Sequence, residues 1–398
     1  MVDINRWQAV QAYGFRPFFL VLPAYIAVSI LLWALVLSGW LPLFFTEQAL
    51  AWHIYEMLYG IASAAIAGFI LTAIPEFYSQ TKPFAGKPLL GLTALWLLGR
   101  VAFWSIDAVG VGVVALTNLP FLLWVILLIA GPVFSDPNRK HISLALVFIA
   151  LWLVQVWFFC ARANLVGVDE LQVLKFALGL FVVLILLALR RISTGVTNTW
   201  LERRGVDEVF MARPPAYNIA IICVVLFSIV EFVNPANSVL GWLGLAAAAG
   251  LLNLLNDFFL QKARPLCEPY LAALALIPVL MATGYGLMGI DYLHDGMYGL
   301  NHFRHFLTTG AFGLAVFMVM SIVGTVHTGR TLVTSRWMVI GIALIVGATL
   351  ARGLIPFFPQ LTQALYKVSA LLWALPFIIY LVGFFAALTS PRVDGLPG

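Results

Sequence analysis

Residues 51–75 read AWHIYEMLYGIASAAIAGFILTAIP, and this run decides the fold. As a helix rising about 1.5 Å per residue it spans a hydrocarbon core of about 30 Å. Its only formal charge is Glu56, and Gly60, Ala64 and Gly68 recur near one face, where small residues let a neighbouring helix come close. Working outward, comparable runs fall near 15–38, 88–107, 110–133, 141–160 and 170–190. Six more follow near 217–236, 239–260, 269–290, 302–326, 335–357 and 362–388. The runs are continuous rather than alternating, so helices are predicted and a closed barrel is not. Hydrophobic residues make up 63% of the chain and charged ones 10%, too few charges to solvate the surface of a soluble domain. The expected fold is an all-α polytopic membrane protein of about twelve transmembrane helices, forming a single transmembrane domain over 1–398. The longest polar connection, roughly 191–216, is too short to fold separately, and no internal repeat is evident.

The loop cations orient these spans. Arg6 and Arg16 precede the first, and the even-numbered connections carry Lys82 and Lys87, then Arg139 and Lys140. Next come Arg190, Arg191, Arg203, Arg204 and Arg213, then Lys262 and Arg264, then Arg330 and Arg336, with Arg392 after the last span. The odd-numbered connections hold only Arg162. By the positive-inside rule both termini are cytoplasmic. The net charge of +5 reflects this sorting and points to no nucleic-acid partner; the partner in prospect is the lipid bilayer. Cys160, Cys223 and Cys267 lie far apart, which suits neither a disulfide framework nor a metal knuckle.

Five cations remain within spans: Arg100, Lys175, Arg304, Arg352 and Lys367. The topology puts all five in the outer half of the membrane, with Glu56 and Glu231 at similar depth. Each can snorkel to the headgroups. Together, on the side that cations avoid, they suggest carboxylate partners or a shared anionic ligand. Histidines gather there too: His53, His294, His302 and His305. His53 and Glu56 share a helix face, as do His302 and His305, and Gly310 and Gly313 follow the second pair. Such histidines cap helices, or bind metal: two facing helices of this kind can hold a haem iron or a copper, with Arg or Lys meeting the haem propionates. His327 ends the tenth span at the cytoplasmic side, about 33 Å along the helix from His305 at about 1.5 Å per residue, so the two cannot share an ion. There it reads first as part of a helix C-terminus, where the imidazole and Arg330 meet the negative dipole end and Gly329 supplies a left-handed cap. His141 is expected to be solvated. Asn253, Asn256 and Asp257 form a further polar cluster, suited to interhelical hydrogen bonds or to an ion path.

Several of these segments together resemble the NnrS family of bacterial inner-membrane proteins. They are Gly14-Phe15-Arg16-Pro17-Phe18-Phe19, Trp52-His53 with Glu56-Met57 and Gly60, Ala67 through Pro75, Gly99-Arg100, His305 with Gly310, Ala311 and Gly313, and His327-Thr328-Gly329-Arg330. The resemblance implies twelve helices, haem and copper as cofactors, and a role in nitric oxide metabolism or resistance to nitrosative stress. It implies functional roles for His53, His305 and His327, and makes Arg16, Arg100 and Arg330 candidates for a structural or propionate-binding role. The chain departs from the family pattern where WHxHEM would place a second histidine, which is Tyr55 here. Tyrosine ligates ferric haem but suits cuprous copper poorly. Cys267-Glu268-Pro269-Tyr270 stands where a ninth-span histidine is expected, and Arg191-Ile192-Ser193-Thr194-Gly195 lacks the family's core there.

The leading expectation is therefore a multi-pass protein of the bacterial inner membrane that binds haem, and copper if the second site survives, and that meets nitric oxide or a related small molecule. His53 and His305 would be axial ligands or would divide between haem and copper, with His302 able to compensate for Tyr55. Arg100, Arg304 and Arg352 would face the propionates, and Glu56 would orient His53. Redox chemistry would call for an electron donor that the residues do not specify. The alternative is a secondary transporter for an anion or a metal complex, using the outer-half cations.

Overall fold

The computed structural model describes residues 6–41 and 48–396. Among the described residues all regular structure is helical. Twelve long helices follow in the predicted order. They are α1 (Phe15–Leu37), α2 (Ala49–Phe77), α3 (Lys87–Trp104), α4 (Val111–Phe134), α5 (Ile142–Arg162) and α6 (Glu170–Arg203). Then come α7 (Pro214–Val233), α8 (Val239–Phe258), α9 (Pro269–Leu293), α10 (Leu300–Val326), α11 (Arg336–Gly353) and α12 (Pro359–Leu388). Eleven of them are long and apolar enough to cross a membrane, and the chain is a multi-pass membrane protein. The exception is α3, whose Lys87 and Arg100 dilute an apolar run of 18 residues.

Lipid and protein divide the helix surfaces. Leu116, Leu127 and Val382 lie within their helices yet exposed, as residues facing acyl chains do. By contrast, 83% of the apolar window is buried in both α2 and α10, against 28% in α1. The two helices that carry His53 and His305 are thus the most enclosed. One helix outruns its prediction. The polar stretch after residue 190 does not begin a connection; α6 continues for 34 residues to Arg203. The cause is a buried stripe at helical spacing, Ser193, Thr197, Trp200 and Leu201, in a segment without proline.

The chain divides into two compact units. The first comprises Met1–Leu178, Val319–Val333 and Phe377–Gly398; the second comprises Gly179–Met318 and Thr334–Pro376. In the first, the Gly14–Phe19 segment locks onto α2: Phe15 donates its backbone N–H to Thr72 Oγ1 at 3.0 Å. Arg16, fully buried, donates to the carbonyls of Leu388 (3.0 Å) and Ser390 (2.7 Å). A guanidinium there meets the negative end of the α12 dipole, so Arg16 acts as a C-terminal cap. In the second unit, Asp257 pairs with Arg213 and accepts the Arg213 backbone N–H at 3.1 Å. Asn256 bonds Asn253 at 2.9 Å. The Asn253–Asp257 cluster is thereby committed to holding α8 to the start of α7.

Candidate functional site

In the first unit Glu56 is the hub. Its carboxylate accepts two bonds from Arg100 Nη1, at 2.9 and 2.8 Å, and one from the Tyr25 hydroxyl. Both partners are almost wholly buried, with side-chain exposures of 5% for Arg100 and 0% for Glu56. Glu56 therefore serves Arg100 and Tyr25 rather than orienting His53, because a buried guanidinium must find an anion. Arg100 also bonds Asn118 Oδ1, which accepts from the Tyr55 hydroxyl at 3.2 Å. Gln155 Nε2 donates to the same hydroxyl at 2.8 Å, and the Tyr55 ring stacks on Phe103 with centroids 4.1 Å apart. The Tyr55 hydroxyl thus keeps its proton and both its bonds within the protein. The space lined by Tyr59, Arg100, Asn118 and Gln155 has no room for a water molecule. This network ties α1 to α5 together.

The helix bends its hydrogen-bond ladder to make room for the pair. Over Glu56–Ala62, α2 widens into a π-helical turn. Shifting the ladder by one residue leaves carbonyl acceptors with spare capacity, a feature frequent at functional sites. Here Gly60 O accepts the Trp96 indole N–H at 2.9 Å. Any Cβ at Gly60 would run into the Glu56 carboxylate and the Arg100 guanidinium, so glycine is what lets the ion pair lie across the turn.

His53 precedes that turn, its ring parallel to Trp33 with centroids 4.3 Å apart. His327 lies at the other end of the unit. Its Nδ1 is 3.2 Å from Glu76 Oε1, and its ring stacks on Tyr13 at 6.2 Å. Burial, and secondly the charge of Arg392, push its pKa down to about 4. The exposed Glu76 carboxylate does not offset these effects, so the ring is neutral at physiological pH and Nδ1–H donates to Glu76. Nε2 is then the lone-pair nitrogen, the arrangement in which a carboxylate orients an imidazole toward a metal. Gly329 follows at φ 78°, the left-handed cap expected from the sequence. His141 is not simply solvated: it stacks on Phe77 at 4.3 Å.

The second unit repeats the chemistry with other residues. Arg304 of α10 pairs with Glu231 of α7, one bond measuring 3.2 Å, and Tyr292 donates to the same carboxylate at 3.2 Å. Arg352 donates to His302 Nδ1 at 2.7 Å and lies over the Tyr366 ring at 4.7 Å. A guanidinium only donates, so His302 Nδ1 accepts and its proton sits on Nε2. In that state His302 offers a metal no lone pair. His305 has the opposite tautomer. Its Nδ1 lies 2.6 Å from Asn301 O, which only accepts, leaving the lone pair on Nε2. Directly after it, α10 forms its own π-helical turn over Phe306–Phe312. Thr309 O there accepts the Trp373 indole N–H at 3.0 Å, and a Cβ at Gly313 would strike that indole.

Each unit thus holds a histidine close before a π-helical turn, a tryptophan bonded to a carbonyl of that turn, and an Arg–Glu pair nearby, buried in the first unit and largely buried in the second. Hydropathy had located the charged members. It missed Tyr25, Asn118, Gln155, Trp96 and Trp373; Asn118 and Gln155 were visible as amide side chains inside spans, whereas the tyrosine and tryptophans merged with the interfacial aromatics. Among the described residues no three His, Cys, Asp or Glu side chains gather as a metal cage. A haem iron asks for less, one or two axial side chains, and an imidazole with Nδ1 bonded to a carbonyl fits that need.

A search among curated proteins finds no match to the chain. A family model described as NnrS protein matches residues 9–392.

Proposed function

Because the chain belongs to the NnrS family, we propose that it is a haem-binding protein of a bacterial inner membrane, acting in nitric oxide metabolism or in protection from nitrosative stress. Membership supports a role in the nitric oxide response. The observation that carries the haem assignment is the 2.6 Å contact of His305 Nδ1 with Asn301 O, which reserves Nε2 as an axial ligand. Bound haem would supply an iron able to take a diatomic ligand and exchange electrons. The chain's own residues hold and orient. Asn301 fixes the His305 tautomer, and the π-helical turn beginning at Phe306 sets where that ring stands on α10. His53 is the corresponding ligand candidate in the first unit, its ring plane set by Trp33. Apolar nitric oxide partitions into the bilayer, so a site within the spans needs no polar entry channel.

Arg100 and Arg304 already face Glu56 and Glu231, and Arg352 faces His302, so propionates would have to compete with these partners. The carboxylate partners of Arg100 and Arg304 weaken the anion-transport alternative, since those two cations are already neutralised. A copper ion takes several ligands at once, and among the described residues no three His, Cys, Asp or Glu side chains gather, so haem is the cofactor proposed.

The deciding experiment is an absorption spectrum of the purified protein, oxidised and dithionite-reduced, beside His305→Ala and His53→Ala. A Soret band that shifts on reduction and weakens in His305→Ala supports the proposal. A colourless wild type from cells with ample haem overturns it.

A further inference from the structure

The second unit carries a recess that neither the histidines nor the buried ion pairs use. It holds about 270 Å³ and is lined by Trp200, Arg204, Lys262, Arg264, Cys267 and Glu268, with Val206 and Ala263 completing the wall. It sits on the face where loop cations concentrate, cytoplasmic by the positive-inside rule.

The recess is built rather than incidental. Glu268 draws three segments together, accepting from the Trp200 indole at 3.2 Å, from Arg204 Nη2 at 3.4 Å and from the Thr334 hydroxyl. The Arg204 guanidinium also stacks over the Trp200 ring at 4.6 Å, which fixes the plane of its fork. The segment carrying Lys262 is tied by Glu208, whose two carboxylate oxygens accept the backbone N–H groups of Gln261 and Lys262, each at 2.8 Å. Among the lining residues Glu268 is matched by Arg204, which leaves Lys262 and Arg264 as further cations, while Glu208 spends both its oxygens on backbone N–H groups. Lys262 Nζ donates to the Asp207 carbonyl at 2.8 Å, while the fully exposed Asp207 carboxylate stands 4.0 Å away, too solvated to neutralise the ammonium. Among the described residues Arg264 has no carboxylate partner.

Walls with a stacked guanidinium and two further cations suit a phosphate-bearing anion, which Arg binds through its fork and Lys as a point charge. Volume and surroundings favour a lipid as its source. Leu266, next to Cys267, and Phe259, just before the Gln261–Lys262 segment, are apolar and exposed, placed as residues that meet acyl chains. Basic pockets on the cytoplasmic side of helical membrane proteins take anionic headgroups in this manner. We infer that the recess binds a phosphate monoanion, presented by an anionic phospholipid of the inner leaflet.

Cys267 provides the probe, being an exposed thiol in the wall itself. With Cys160→Ser and Cys223→Ser it becomes the sole thiol, and its modification by an uncharged, water-soluble maleimide can be timed. The protein is placed in nanodiscs of phosphatidylcholine alone, of phosphatidylcholine with phosphatidylglycerol, or of phosphatidylcholine with added inorganic phosphate. A companion carries Lys262→Gln and Arg264→Gln, exposed positions whose exchange leaves the Glu268 and Glu208 ties intact. Phosphatidylglycerol is expected to slow labelling in the parent. The companion should need roughly 30-fold more of the lipid for the same protection, from two lost cations. Equal protection by inorganic phosphate would keep the site and assign it to a soluble phosphate. Labelling unaffected by either, or slowed equally in the companion, overturns the proposal.

Discussion

Glu56 and Arg100 show what one buried charge demands. Each is tolerated because the other, with Tyr25 and Asn118, replaces the water it has lost. Removing one partner strands the other, so Glu56→Gln or Arg100→Met alone is expected to lower stability by about 3–5 kcal/mol. Combining them should restore most of that loss; detergent-induced unfolding of the three variants tests this, and an additive double variant would refute the pairing. His327 gives a pH signature. Its pKa falls from 6.5 to about 4 on folding, so below pH 6.5 the unfolded chain takes up a proton that the native ring refuses. Its contribution is complete above pH 6.5, declines as pH falls toward 4 and is then exhausted. The span is on the order of 3 kcal/mol at most. The unfolding midpoint of wild type should therefore fall over that interval more steeply than that of His327→Gln, and parallel curves would count against it.

At the scale of the element, α2 and α10 break the α-helical ladder at one turn each and mend it with a tryptophan from a neighbouring helix. Trp96→Phe and Trp373→Phe keep most of the ring and remove only the indole donor to Gly60 O and Thr309 O. Each is expected to cost about 1–2 kcal/mol in the same unfolding assay, while the exposed Trp242→Phe should cost nothing measurable. Equal behaviour of all three would mean that the turns do not depend on these bonds. The position of the turns could not be read beforehand. A π-helical turn depends on the balance between ladder geometry and what packs on it, and hydropathy is blind to both. The reach of α6 to Arg203 was hidden for a similar reason: its buried stripe of Ser193 and Thr197 reads as polar until its neighbours are known.

Across the whole molecule, the sequence alone determined the number and order of the helices, and its loop cations set the sidedness to expect. Those properties follow from the transfer of apolar runs out of water and from where Lys and Arg must stay, and both are encoded locally. It also determined family, through motifs spread along nearly the whole chain. The tertiary structure decided the partners. Arg100 is 44 residues from Glu56 and Arg304 is 73 from Glu231, separations that no periodicity within one span can reveal. It decided that His302 spends its lone pair on Arg352 while His305 retains one at Nε2, because a tautomer is set by the atom opposite the ring. And it gathered Arg204, Lys262 and Arg264, three cations from two loops counted in the sequence only as markers of sidedness, around one recess. Burial and charge pairing act through space, and only the folded chain brings those residues within reach.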